Sequence, residues 1–179
     1  MTNKSFDDFI KKLNDASQEV EIDWKTKLNE WKQYISNFYN KTEGFLKPYI
    51  ESGKLRLTKR SIMLDEEYIG SYEVDALDIL LGGIKIILTP IGTNLIGAKG
   101  RVDMVGPKGT VKFVLVPKDS SSPKITVKIR LQGEKMPPRE KKQIITEWAW
   151  KISTPPPRIS YIELEEESFQ TALMEVVNG

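Results

Sequence analysis

Cysteine and histidine are both missing from the 179-residue sequence. Without cysteine the chain forms no disulfide and has no thiolate nucleophile or thiolate metal ligand. Without histidine it has no imidazole base, no Ser-His-Asp triad and no histidine-bound zinc. Acid-base chemistry by carboxylates or lysines, and an all-oxygen magnesium or calcium site, remain open. We therefore expect a protein that is not an enzyme and that uses no cofactor and no bound metal.

Long apolar runs are also missing. A membrane-spanning helix needs roughly 18 or more consecutive apolar residues. The longest apolar stretch here, 79–88, is interrupted by Gly82, Gly83 and Lys85. The amino-terminal residues MTNKSFDDF lack the basic region and apolar core of a secretory signal. These features predict a cytoplasmic protein with no membrane association.

Large apolar side chains do occur throughout the first fifty residues, and they recur at steps of mostly three or four. Such spacing predicts an amphipathic helix, or a helical hairpin, over residues 1–50. The stripe consists of Phe6, Phe9, Ile10, Leu13, Ala16, Val20, Trp24, Leu28, Trp31, Ile35, Phe38 and Phe45. A continuous helix from Ser5 to Lys41 would be roughly 55 Å long, whereas a folded chain of this size has a radius of gyration of about 16 Å. Part of the stripe must therefore fold back on itself or find a second chain.

The periodicity changes after Gly53, where apolar and polar residues begin to alternate as they do in strands. Leu55 and Leu57 alternate with basic residues, and a similar alternation recurs at 84–88 and 125–131. Glycine-rich turns separate these segments, with no long helices between them. The pattern predicts a mostly antiparallel sheet of about six to eight strands, arranged as a meander over residues 54–132.

A helical period returns near the carboxy terminus. Ile144, Trp148 and Ile152 share one face of a predicted helix over 138–153, which ends before three consecutive prolines. A strand at 159–164 and a helix at 166–177 follow, the latter with Phe169 and Leu173 on its apolar face. The predicted fold class is therefore α+β, with the helical segment 1–50 followed by an α+β domain at 51–179 that ends in helix-strand-helix.

Positive charge is concentrated in one part of the chain. Residues 101–160 contain thirteen basic and five acidic side chains, whereas residues 161–179 contain five acidic side chains and no basic one. On the predicted strand 124–132, Lys124, Lys128 and Arg130 share one face and could bind nucleic-acid phosphates or other anions. The alternative is that they form the solvated outer face of a sheet, with the acidic carboxy-terminal segment neutralising them.

Two other functions are open but less favoured. Glu73 and Asp75 would share one face of a strand, with Asp78 nearby, as a magnesium-dependent hydrolase would require, but a solvated face explains them more simply. A sheet closed into a β-barrel could carry a small apolar ligand, with the long helix as its lid.

The function that the sequence favours most is binding through the amino-terminal helix. A helical apolar stripe without a local partner usually acquires one. We expect a non-enzymatic interaction module that binds a protein partner, or a second copy of itself, through the contact residues Trp24, Leu28, Trp31 and Ile35.

Overall fold

The computed structural model describes residues 3–67, 69–93, 95, 97–123 and 146–179, and within the first helix the side chains of residues 6, 8, 10, 11 and 23–51. Two helices and seven strands follow one another in these ranges. They are α1 (Asn3–Glu51), β1 (Leu55–Glu66), β2 (Gly70–Leu81), β3 (Ile84–Gly92), β4 (Gly100–Gly106), β5 (Gly109–Pro117), β6 (Trp148–Ser153), β7 (Tyr161–Glu163) and α2 (Glu166–Asn178). The predicted α+β class is confirmed.

Helix α1 is one continuous helix and not a helical hairpin. Its 49 residues give a length of about 74 Å at 1.5 Å per residue. Among its described side chains, the core contains Trp31, Ile35, Phe38, Tyr39 and Leu46 of the carboxy-terminal half, whereas residues 6, 8, 10 and 11 are exposed. The amino-terminal half therefore extends past the residues that the sheet covers. Neither helix, over its described length, is apolar enough to cross a membrane.

The strands form one antiparallel sheet in the order β1 to β7. Tight turns set the register: Gly82 and Gly83 have φ angles of 55° and 85°, and such positive values suit the two-residue hairpin turn between Leu81 and Ile84. Among the described strands no pairing joins β1 to β7, so this part of the sheet is open and not closed into a barrel. The strand predicted at 124–132 lies outside the described residues.

The buried face of β2 switches halfway along the strand. Tyr72, Val74 and Ala76 are buried in its first half, whereas Leu77 and Ile79 are buried in its second half. Only the second half pairs with β3. The part of the β1–β2 hairpin that extends beyond β3 therefore has its even-numbered side chains facing the core.

The prediction of a helix over 138–153 is wrong for residues 146–153, which are the part of that segment that the structure describes. Trp148–Ser153 forms β6, which pairs with β5 in a register that places Trp150 opposite Leu115. Trp148, Trp150 and Ile152 are two residues apart, so this short segment satisfies the strand period as well as a helical one. Pairing along β5 decides between the two. Trp148 and Trp150 are therefore strand residues, and residues 138–145 lie outside the described part of the chain.

The end of the chain follows the prediction more closely. Strand β7 lies within the predicted strand at 159–164, and α2 covers the predicted helix at 166–177. The apolar face of α2 is buried through Phe169, Ala172, Leu173 and Val176. Glu165 begins the helix with a capping box shared with Ser168, which satisfies backbone groups that would otherwise lack partners.

Aromatic rings join both helices to the same face of the sheet. The ring centroid of Phe38 on α1 is 5.2 Å from that of Phe113 on β5 and 4.9 Å from that of Trp150 on β6. Phe169 on α2 lies 5.9 Å from Phe113 on its other side. Phe113 is fully buried between the helices, and this aromatic cluster fixes the carboxy-terminal half of α1 in place.

Candidate functional site

A cleft of about 420 Å³ lies where α1 leaves the sheet. One wall is the segment of α1 that contains Trp24, Lys27 and Glu30. The opposite wall comes from the β1–β2 turn, with Ile69, and from Thr93 at the end of β3. The cleft therefore lies at the boundary between the buried half of α1 and its projecting half.

Trp31 forms the floor of this cleft through an unusually close contact with the sheet. The indole lies against Gly100, where an added Cβ would be 2.1 Å from Cζ3 of the ring. Because only glycine leaves this space, Trp31 can approach the backbone of β4 directly. Trp31 is 2% exposed, so its indole closes the cleft from below.

Glu66 holds the sheet side of the cleft together. Its carboxylate accepts hydrogen bonds from the backbone N–H and the hydroxyl of Thr93, both at 2.8 Å, and from the hydroxyl of Tyr72. Burial raises the pKa of Tyr72, and the hydrogen bond to Glu66 raises it further. Gly92 has a φ of 132°, and a Cβ there would lie 2.9 Å from Cδ of Glu66. The carboxylate therefore ties the tip of the β1–β2 hairpin to the end of β3.

Two lysines at the cleft are engaged by neighbouring carboxylates and aromatic rings. Nζ of Lys99 lies 2.7 Å from Glu30 and 4.9 Å from the ring centroid of Tyr34. Nζ of Lys27 lies 2.6 Å from Asp23 and 4.3 Å from the ring centroid of Trp24. These contacts combine ion pairing with cation–π attraction.

The cleft has an excess of negative charge. The acidic residues that line it outnumber the basic ones by two: Asp23, Glu30, Glu66 and Glu67 against Lys27 and Lys99. Trp24 and Ile69 add apolar surface at the same place. The geometry suits an apolar group that carries, or lies beside, positive charge.

The four predicted contact residues on α1 have two different environments. Trp31 and Ile35 are each 2% exposed and belong to the chain's own core. The prediction that a partner contacts them needs correcting, because the sheet already covers them. Trp24 and Leu28 are partly exposed at the edge of the sheet, and their role in binding stays a prediction.

The same helix face continues toward the amino terminus and becomes exposed. Phe6 and Ile10 precede Trp24 and Leu28 by eighteen residues, which is five turns at 3.6 residues per turn, so all four share one side of α1. Phe6 is 62% exposed and Ile10 is 40% exposed. The prediction from sequence did not select these two as contact residues, although their spacing from Trp24 and Leu28 could have identified them.

The predicted anion-binding residues Lys124, Lys128 and Arg130 lie outside the described residues. Other basic residues of the segment 101–160 form contacts within the folded chain. Lys151 is 3% exposed, donates to the backbone oxygens of Lys118 and Ser120, and lies 2.5 Å from Glu163. Arg101 pairs with Asp103 at 2.9 Å. Part of the positive charge in residues 101–160 is therefore bound by carboxylates and backbone oxygens of the chain itself.

The acidic residues considered for a metal site do not converge. Glu73 and Asp75 are two apart on β2, while Asp78 lies at the opposite parity and pairs with Arg60 at 3.2 Å and Lys85 at 2.7 Å. Within the described ranges no group of acidic side chains is arranged to hold a metal ion.

Comparisons of the chain with protein-family models, with curated proteins and with solved structures find no match.

Proposed function

We propose that this protein is a non-enzymatic interaction module, and that the projecting amino-terminal half of α1 is the element that binds a protein partner. One observation carries the proposal. A single apolar helix face is buried by the sheet from Trp31 onward, partly exposed at Leu28 and Trp24, and exposed at Ile10 and Phe6.

Physical considerations support a partner for this face. In proteins most of the stability of a helix comes from the tertiary packing of its apolar face. Burying one large apolar side chain contributes about 1.5–3 kcal/mol. A partner that covers Phe6 and Ile10 would therefore stabilise both the complex and the helix that forms it.

The carboxy-terminal half of α1 has a different role from the projecting half, because it attaches the helix to the sheet. Nε1 of Trp150 donates to the backbone oxygen of Tyr34 at 3.0 Å, and the hydroxyl of Tyr39 donates to the backbone oxygen of Asp75 at 2.8 Å. These bonds anchor α1 to β6 and to β2, each of which is one strand from an edge of the sheet. The sheet thereby acts as a rigid base from which the binding element extends.

Photo-crosslinking in the cells that produce the protein tests the proposal. A benzophenone amino acid would replace Phe6 or Ile10 in the full chain, and adducts would be identified by peptide mass spectrometry. We expect the same protein to be captured from both positions, because they lie one turn apart on one face.

Met63 provides a matched control position. It is 60% exposed on β1, and we expect no adduct of comparable yield from it. If neither Phe6 nor Ile10 gives a protein adduct above the yield at Met63, the proposed function is wrong.

A further inference from the structure

The exposed face of α1 fits the same segment of a second copy of this chain. We propose that two chains pair through residues 3–28 of α1, with the two helices antiparallel and centred near residue 17. This inference rests on the proposed function, because it names the partner that covers the projecting half of the helix.

The apolar residues match in this arrangement. An antiparallel pair centred at residue 17 places Phe6 of each chain opposite Leu28 of the other, and Ile10 opposite Trp24. The two more exposed residues of each chain thus meet the two partly exposed residues of its partner. All four lie on one helix face, as a packed helix pair requires.

The order of charges along the sequence favours the antiparallel direction. Acidic residues occupy positions 7 and 8, lysines occupy 11 and 12, and four acidic residues with no basic residue lie between 13 and 24. Lysines follow at 25 and 27. Reversing one helix brings its 25–27 lysines near acidic positions 7 and 8 of the other, and its lysines at 11 and 12 near acidic positions 21 and 23. A parallel pair in register would place every charged residue level with its own copy, which is unfavourable, whereas in the antiparallel pair only Asp15 and Glu19 lie level with acidic residues.

The cleft lies where the end of the partner helix would arrive. In this register residues 3–6 of one chain reach the level of residues 28–31 of the other, where the sheet already covers Trp31 and the cleft lined by Trp24, Ile69 and Glu67 is open. The amino-terminal end of a helix carries partial positive charge. The excess of carboxylates in the cleft suits that end, and Trp24 and Ile69 suit the ring of Phe6.

The absence of cysteine allows spin labels to be placed singly in the full chain. Asp8→Cys and Thr26→Cys would each be labelled, and distances between chains would be measured by double electron–electron resonance. In the antiparallel pair, residue 8 of one chain lies at the same level along the axis as residue 26 of the other, both on the sides turned away from the contact, whereas two copies of residue 8 are offset by about 27 Å along the axis. We expect a mixture of the two variants to give a shorter distance than either variant alone.

Light scattering on the full chain supplies the second readout. We expect twice the mass of one chain, and we expect Phe6→Ser or Ile10→Ser to raise the dissociation constant at least about tenfold. Met63→Ser, which replaces an apolar residue on β1 that is about as exposed as Phe6, should leave the dissociation constant unchanged. Because Phe6 and Ile10 lie outside the core, the variants should keep the melting temperature of the dissociated chain.

Two results would overturn the inference. One is a mass of a single chain at all accessible concentrations. The other is the set of distances expected for a parallel pair, in which the mixture of Asp8→Cys and Thr26→Cys gives a longer distance than either variant alone. If the chain is monomeric but Phe6 and Ile10 are captured by a different protein, the proposed function stands while the second copy is excluded as its partner.

Discussion

Trp31 and Gly100 are in such close contact that the indole occupies the space in which any other residue at position 100 would carry its Cβ. The pair joins α1 to the first residue of β4 and closes the floor of the cleft. Helix position and sheet position are thereby fixed by one contact.

Gly100→Ala should therefore destabilise the protein strongly. The added Cβ would lie 2.1 Å from Cζ3 of Trp31, so either the indole or the strand must move. Overpacking of this kind costs about 1–3 kcal/mol, which urea unfolding followed by tryptophan fluorescence would measure. Gly109→Ala is the control, because nothing lies within 4 Å of its Cβ position, and an effect as large as that of Gly100→Ala would contradict the prediction.

Gly44→Ala should stabilise the protein. Gly44 lies inside α1, and nothing approaches its Cβ position within 4 Å. Alanine is favoured over glycine in a helix interior by about 1 kcal/mol, so the urea midpoint should rise. Gly53→Ala is the opposing control, because Gly53 has a φ of 71° and alanine would be strained there. A lower midpoint for Gly44→Ala would show that position 44 has a close neighbour after all.

The sequence predicts the fold class because the two hydrophobic periods are long and distinct. The helical spacing extends over fifty residues, and residues such as Leu55 and Leu57 show the strand period clearly. The segment 148–153 could not be assigned in the same way. Its apolar residues satisfy both periods, and pairing with β5, which is a contact distant in sequence, determines the outcome.

The candidate site was harder to predict than the fold. The stripe on α1 is visible in the sequence, but the residue at which the sheet stops covering it depends on tertiary geometry. Trp31 and Trp24 look equivalent in the sequence at a spacing of seven, yet Trp31 is buried and Trp24 is partly exposed. Trp31 packs on Gly100 of β4, which is a contact distant in sequence.

Tyr39→Phe should cost about 1 kcal/mol of stability, which is the usual net contribution of one hydrogen bond. The hydroxyl donates to the backbone oxygen of Asp75 at 2.8 Å and lies 3.4 Å from that of Leu88, so it connects α1 to β2 and β3. Tyr49→Phe is the control, because Tyr49 is 41% exposed. Equal losses from the two substitutions in urea unfolding would show that the buried hydroxyl of Tyr39 has no special role.

Acid unfolding should reveal two aspartates with opposite effects. For Asp78, partial burial favours a higher pKa, but Lys85 and Arg60 outweigh it and hold the pKa below its usual value. Its contribution to stability is thus full above the pKa of the unfolded chain, near 3.8, and is lost as the pH falls through the lower folded value. The stability lost in Asp78→Asn should be largest at neutral pH and disappear in acid.

Asp103 should behave in the reverse sense. Burial raises its pKa despite the opposing effect of Arg101, so its ionisation costs stability at neutral pH. As the pH falls through the raised value, the folded state takes up a proton before the unfolded state does, and that cost is relieved. The wild-type chain should therefore gain stability relative to Asp103→Asn as the pH is lowered from 7. Urea unfolding of both variants between pH 7 and pH 3 checks the two signs, and parallel pH profiles for Asp78→Asn and Asp103→Asn would contradict them.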